Sequence, residues 1–160
     1  MGLSLKQQEM VEFLESAKQK NESFKVMLWG TIIADLPLLE DRTIASAIMV
    51  FMPVGGVAAM PNNAFCYIGI SEKCLYAIAL DAYNTSKIIG TFVLPFDQLT
   101  ALNVRKTMLG SYVVEATCED SFVSLTVKNT ALGTNIKDQK QRVEIFMEEI
   151  QKVKDTVLKK

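Results

Sequence analysis

The sequence predicts an α+β fold that is mainly antiparallel β-sheet, with a long C-terminal helix and an additional N-terminal helix. Between residues 24 and 127, about seven short runs rich in β-branched and aromatic residues alternate with turn residues. Residues 4–19 and 135–158 instead carry apolar side chains at helical spacing. A chain of 160 residues suits one domain. We therefore expect one unit made of a helical extension, a β-barrel and a capping helix, over residues 1–22, 24–130 and 135–158.

The two strands before the last helix are predicted with a definite register. A turn at Glu119-Asp120 places Cys118 opposite Ser121 and Tyr112 opposite Val127. One face of the pair is then apolar and the other mainly polar, and a shift by one residue would destroy that match. The pattern therefore predicts a hairpin at this position.

Both helices are predicted to begin at polar capping residues. Ser4 and Gln7 have the spacing of a capping box. Asn135 is expected to be the N-cap of the final helix, with Asp138 near the positive end of the helix dipole. The apolar stripe of that helix is expected to pack on the core; it consists of Val143, Phe146, Met147, Ile150, Val153 and Val157.

Composition argues against several functional classes. The chain has no histidine, 17 basic and 18 acidic side chains, and a net charge of -1. Without histidine, Ser-His and Cys-His catalysis and imidazole metal ligands are excluded. The balanced charge lacks the positive footprint of nucleic-acid binding. We expect no enzymatic activity, no catalytic residue, no cofactor, no metal site and no nucleic-acid partner.

The cysteines and the N-terminal residues predict a cytoplasmic location. Cys66, Cys74 and Cys118 are odd in number, so they cannot all pair within one chain. Free thiols persist most easily in a reducing compartment. Residues 1–20 lack the apolar run of a signal peptide. The longest apolar stretch, residues 44–60, is interrupted and too short for a transmembrane helix.

No charged side chain lies between Arg42 and Glu72, although roughly a quarter of the residues of a typical domain are charged. Residues 65–71 fit a core strand. Residues 44–60 either pack inside the chain or form an apolar surface that a partner covers. We predict an interface in a homo-oligomer or with another protein, which also uses the apolar face of the N-terminal helix. The candidate residues are Ile44, Ile48, Met49, Phe51, Met52, Val54, Met60, Met10, Phe13 and Leu14.

Four basic residues are candidates for a small anion-binding patch, if the hairpins fold over one another: Lys73, Lys87, Arg105 and Lys106. The alternative, which the sequence favours, is a solvated strand edge where lysine and arginine discourage aggregation between sheets.

Three segments resemble the bacterial pleckstrin-homology-like (PH-like) domain family. One is the hairpin over residues 67–76, with a short charged turn after Ser71. Another is the Leu94-Pro95-Phe96 step into the next strand. The third is the closing helix with its Val143, Phe146 and Ile150 positions. The resemblance covers roughly residues 65–155, and it implies a partly open seven-stranded barrel closed at one end by the C-terminal helix.

The resemblance also implies a binding or assembly module. Eukaryotic relatives bind phosphoinositides through a basic first hairpin, but the corresponding residues 35–42 carry three acids and one base, which would repel an inositol phosphate. Bacterial members often self-associate, and we expect protein–protein or self-association here. Two alternatives remain open. One is a carrier of a small apolar ligand, in a cavity lined by Trp29, Met27 and Phe146. The other is weak membrane binding through residues 53–60.

Overall fold

The computed structural model describes residues 5–18, 21–35, 49–51, 64–81, 83–118, 121–129 and 134–157. They form two helices, eight strands and one short 3-10 helix: α1 (Gln7–Ala17), β1 (Val26–Asp35), β2 (Met49–Phe51), β3 (Ala64–Ile70), β4 (Cys74–Leu80), β5 (Ile88–Pro95), the 3-10 helix (Phe96–Gln98), β6 (Ala101–Lys106), β7 (Tyr112–Cys118), β8 (Ser121–Val127) and α2 (Gln139–Val157). The predicted α+β fold class, mainly antiparallel with a helix at each end of the chain, is confirmed.

All eight described strands belong to one antiparallel sheet with the order β2-β5-β4-β3-β1-β8-β7-β6. The long strand β1 lies near its centre, because its first part pairs with β3 and its last part with β8. The edges are β2 and β6, which do not pair with each other in the described part of the chain. The sheet is therefore open. It has one strand more than the predicted seven, and β2 is that additional edge strand.

The main core lies between one face of this sheet and α2. The strands β1 and β3 to β8 all contribute buried side chains to it, so the sheet curls around a shared interior. From α2 come Val143, Phe146, Ile150 and Val153, all buried. From Val143 to Val153, the stripe predicted for the final helix therefore packs on the core, inside the curl of the sheet.

The predicted register of the last hairpin is confirmed. Tyr112 pairs with Val127 and Cys118 with Ser121. The residues on the apolar face of the pair, Val114, Ala116, Val123 and Leu125, are buried. Burial of one face explains why only this register is stable, because a shift by one residue would turn those four side chains toward solvent.

The helix α1 packs on the opposite, outer face of the sheet. Met10 and Leu14 are fully buried there, in a second cluster that includes Trp29 and Tyr67. Phe13 is half-buried, with its ring centroid 5.9 Å from that of Tyr67. The prediction that the apolar face of this helix belongs to a partner interface is therefore wrong. The outer face of β1, β3 and β4 is itself apolar, and α1 covers it within the same chain.

The helix starts differ from those predicted. α1 begins at Gln7, and the N-cap residue Lys6 makes no side-chain cap bond. Asn135 fills that role from the other end of the chain, since its Oδ1 accepts the Gln7 backbone N–H at 2.7 Å. In return, the Oε1 of Gln7 accepts the Lys137 backbone N–H at 2.9 Å. Asn135 is thus not the N-cap of α2, which begins at Gln139. Ser4 lies outside the described residues.

Asn135→Ala should destabilise the protein by about 1 kcal/mol, the usual cost of losing a capping side chain. Urea denaturation measures this loss, and faster hydrogen exchange of the Gln7 amide would locate it. The matched control is Asn129→Ala, an exposed asparagine on the same connection between β8 and α2, for which we expect no change. Equal effects of the two substitutions would contradict the assigned role of Asn135.

Candidate functional site

The uncharged stretch of sequence reaches the edge of the sheet. β1 and β3 are neighbours in the sheet, yet residues 36–63 lie between them in the chain. Within that interval β2 pairs with β5, and Met49 lies opposite Val93. The connection between β1 and its partner β3 is therefore much longer than residues 35–42. The sequence analysis took residues 35–42 to be the connection of the first hairpin, and the structure corrects this.

The interface residues predicted in this stretch fall into two groups. Met49 and Phe51 lie on the edge strand β2. The others lie outside the described residues: Ile44, Ile48, Met52, Val54 and Met60. Residues 53–60, the predicted membrane-binding loop, also lie outside them.

The four residues of the predicted anion patch do not come together. Lys73 lies directly before the first residue of β4, and Lys87 lies directly before β5, beyond the last residue of β4. The two lysines are therefore at opposite ends of a strand of 7 residues. Such a strand is about 23 Å long. Arg105 and Lys106 lie on β6, at the edge of the sheet four strands beyond β3 in the strand order. Because Lys73 and Lys87 lie at opposite ends of β4, the four residues do not form one shared patch.

The two basic residues on β6 have local partners. Arg105 Nε lies 3.7 Å from Glu115 Oε1 on the neighbouring strand, where Arg105 is exposed and Glu115 is partly exposed. Lys106 Nζ lies 5.8 Å from the centroid of the Tyr112 ring. Arg105 and Lys106 therefore lie on a solvated strand edge, which was the alternative to an anion-binding patch.

A surface groove of about 890 Å³ lies where the β3–β4 turn, the 3-10 helix and the last turns of α2 meet. Its buried apolar residues include Phe96, Leu99 and Val153. Acidic and basic side chains mix around them: Lys25, Glu72, Lys73, Asp97, Glu149 and Lys152. The groove is therefore amphipathic and has no dominant charge.

Glu149 neutralises two of the lysines in this groove. Its Oε2 lies 3.2 Å from Lys25 Nζ, and its Oε1 lies 3.2 Å from Lys152 Nζ. Burial by itself would raise the pKa of Glu149, but the hydrogen bonds and charges of Lys152 and Lys25 outweigh it, and the pKa is lowered. Because both ammonium groups already face a carboxylate, the groove is poorly suited to a free anion.

A buried carboxylate beside the groove was missed by the sequence analysis. Glu22 is 8% exposed, and its two oxygens accept the hydroxyl groups of Ser71 at 2.5 Å and of Tyr76 at 2.6 Å. Ser71 Oγ also accepts the backbone N–H of Cys74 at 3.1 Å, which closes the β3–β4 turn. The cluster therefore ties the segment between α1 and β1 to that turn. No local sequence pattern marks Glu22, because its partners lie 49 and 54 residues away.

The thiols of Cys66 and Cys74 are both buried. Burial, followed by the negative charge of Glu22, raises the pKa of Cys74 to about 11. Burial also raises the pKa of Cys66 well above its usual range. Thiols with raised pKa values are protonated at neutral pH and are poor nucleophiles.

In the described ranges, no group of three His, Cys, Asp or Glu side chains is placed to hold a metal ion.

The three residues predicted to line a carrier cavity are separated by the sheet. Met27 and Trp29 pack in the outer cluster under α1. Phe146 is buried in the main core, on the other face. The predicted lining set is therefore wrong, because alternate residues of β1 face opposite sides of the sheet.

No helix in the described part of the chain is long and apolar enough to span a membrane.

Comparisons with known proteins leave the family open. No family model matches the sequence, and no curated protein matches it. Among solved structures, the chain is similar to the hSac2 domain from human phosphoinositide phosphatase Sac2. The identity is 13% and the TM-score 0.47, over 93% of this chain and 83% of that one. A similarity of this size supports no conclusion about function.

Proposed function

We propose that this protein is a non-enzymatic binding or assembly module of PH-like type that self-associates through the β2 edge and the uncharged residues around it. The observation that supports this is the attachment of the uncharged stretch to the sheet as an edge strand. An edge strand presents unpaired backbone N–H and C=O groups to whatever lies beside it. Among the described strands, β2 has a neighbour on one side only, β5.

The two sheet edges differ in how they are protected. On β6, the exposed residues are Asn103, Arg105 and Lys106, and such polar and charged side chains disfavour pairing with another sheet. The β2 edge lies in a stretch with no charge between Arg42 and Glu72. The lack of charge around β2, compared with the charged β6 edge, supports association at the β2 edge.

A second copy of the same chain is the simplest partner for this edge. Two β2 strands can pair antiparallel across a twofold axis, which gives a closed dimer in which both copies use the same surface. Because β2 has only 3 residues, backbone pairing alone would supply few hydrogen bonds. We therefore propose that the apolar residues flanking β2 supply most of the binding free energy, through burial.

We also propose a cytoplasmic location. The support comes from Cys66 and Cys74, which are free and buried. Such thiols are typical of proteins from reducing compartments.

Light scattering coupled to size exclusion tests the assembly. We expect the wild-type chain to be a dimer or larger at about 100 μM, and the Met49→Asp/Phe51→Asp variant to dissociate at least about tenfold more readily, because it places charge at the interface. Asn103→Asp on the opposite edge is the matched control and should leave assembly unchanged. A wild-type chain that is monomeric at this concentration would refute the proposal. Thermal melting checks that each variant is folded.

A further inference from the structure

The turn between β6 and β7 presents two apolar side chains directly to solvent. Met108 and Leu109 are both almost completely exposed. Single exposed apolar residues are common on protein surfaces. Two adjacent ones at the tip of a hairpin are different, because no neighbouring side chain covers either of them. We call Met108 and Leu109 the apolar tip.

The apolar tip is held in place by the turn itself. The Thr107 backbone N–H donates to the Ser111 carbonyl oxygen at 2.8 Å, and the Gly110 N–H donates to the Thr107 carbonyl oxygen at 3.1 Å. The Ser111 N–H also donates to Thr107 Oγ1 at 3.1 Å. Gly110 has φ 84°, a conformation that favours glycine. The outward position of the tip is thus built into the folded hairpin, and docking would require little further ordering.

Basic side chains flank the apolar tip. Lys106 precedes it by two residues, and Lys128 borders the same shallow depression as Leu109. Among the described residues, no carboxylate lies within ion-pair distance of Lys106 or Lys128. Glu115 is paired with Arg105. The surroundings of the tip therefore carry a local positive charge, although the chain as a whole has a net charge of -1.

We propose that the apolar tip, with Lys106 and Lys128, docks on an anionic lipid surface. The arrangement matches the layers of such a surface: the lysines meet the anionic head groups while the two apolar side chains enter the boundary with the acyl chains. A convex tip suits a deformable surface better than a protein groove, which would have to supply both a fitted apolar pocket and an acidic rim. The site adjoins the β6 edge, so it is separate from the β2 edge used in the proposed assembly.

Assembly would strengthen this docking without being required for it. A single tip inserts only two side chains, so binding by one copy should be weak and reversible. Two copies in a dimer would present two tips to one surface, and the second contact would form at a high effective concentration. The lipid contact therefore goes beyond the proposed self-association and can be tested separately.

Co-sedimentation with vesicles tests the proposal. We expect the wild-type chain to bind vesicles with about 30 mol% phosphatidylserine at least about tenfold better than pure phosphatidylcholine vesicles. Binding should fall as sodium chloride rises from about 0.1 to 0.5 M. Met108→Ser/Leu109→Ser should lose at least about tenfold in binding, and Lys106→Gln/Lys128→Gln should lose the preference for anionic vesicles. The matched control is Tyr83→Ser, at a side chain that is 101% exposed between β4 and β5, which should bind as the wild type does.

A fluorescence measurement locates the contact. In Leu109→Trp the new indole should shift its emission to the blue on anionic vesicles, while Trp29 is already buried and should not respond. Absence of wild-type binding to anionic vesicles would overturn the proposal. So would unchanged binding by the double serine variant, or an equal loss in Tyr83→Ser. Thermal melting of each variant separates loss of binding from loss of fold.

Discussion

Glu22→Ala should lower the free energy of unfolding by about 3–5 kcal/mol, because two hydrogen bonds to a charged acceptor are lost. The substitution removes the carboxylate that accepts the hydroxyl groups of Ser71 and Tyr76 inside the protein. Both hydroxyls would lose a charged acceptor where little water can replace it, and Ser71 sits in the turn between β3 and β4. Urea denaturation measures the change. Glu144→Ala, at an exposed position on α2, is the control and should change stability by less than about 0.5 kcal/mol.

Glu22→Gln separates the charge of this side chain from its shape. It retains one oxygen acceptor, so we expect a smaller loss of about 1–2 kcal/mol. The negative charge of Glu22 contributes to the raised pKa of Cys74, about 11. Removing that charge should therefore lower the pKa of Cys74, and thiol alkylation at increasing pH would report it. An alkylation profile of Cys74 identical to the wild type, or a stability loss no larger than for Glu144→Ala, would contradict the assigned role.

Gly30→Ala should destabilise the protein by about 3 kcal/mol, at the upper end of the usual cost of overpacking. A Cβ atom at this position would lie 2.4 Å from the Thr126 carbonyl oxygen and 3.0 Å from Ile68 Cδ1. The nearest obstacle is backbone, so β8 would have to move away from β1. Gly30 immediately precedes the residues of β1 that pair with β8, and the missing side chain permits the close approach.

Gly110→Asn is the matched control for Gly30→Ala. A Cβ atom on Gly110 would meet nothing within 4 Å, and asparagine tolerates positive φ better than most residues. We expect it to cost about 1 kcal/mol or less. Thermal and urea denaturation of both variants measure the difference. A Gly30→Ala protein as stable as Gly110→Asn would show that β1 and β8 can separate without cost.

Two predictions that depended on hydrophobic periodicity were confirmed. The hairpin from Tyr112 to Val127 could be placed to the residue, because alternation on two adjacent strands determines which side chains face the core. The stripe from Val143 to Val153 identified the buried side of α2, because helical spacing brings those residues onto one face. Both patterns relate residues that are close together in the chain.

The predicted sites were less accurate, because each depended on contacts between distant segments. Met10 and Leu14 were correctly recognised as an apolar helix face, but the sequence could not show that the outer face of the sheet covers it. Asn135 was recognised as a capping residue, but the helix it caps begins 128 residues earlier. Glu22 was missed altogether, since its burial and both of its hydrogen bonds arise only when β3 and β4 reach it.

The sequence alone determined the order and type of the two helices and of seven strands, the apolar sides of the helices and the register of the last hairpin. It also determined the uncharged stretch between Arg42 and Glu72 and the absence of histidine. Only the tertiary structure decided which apolar surfaces are covered and which are exposed. The apolar face of α1 is buried on the sheet, β2 is an edge strand, and Met108 and Leu109 are exposed to solvent. The physical reason is that hydrophobic periodicity identifies a face that will be buried, but it does not identify the surface that buries it.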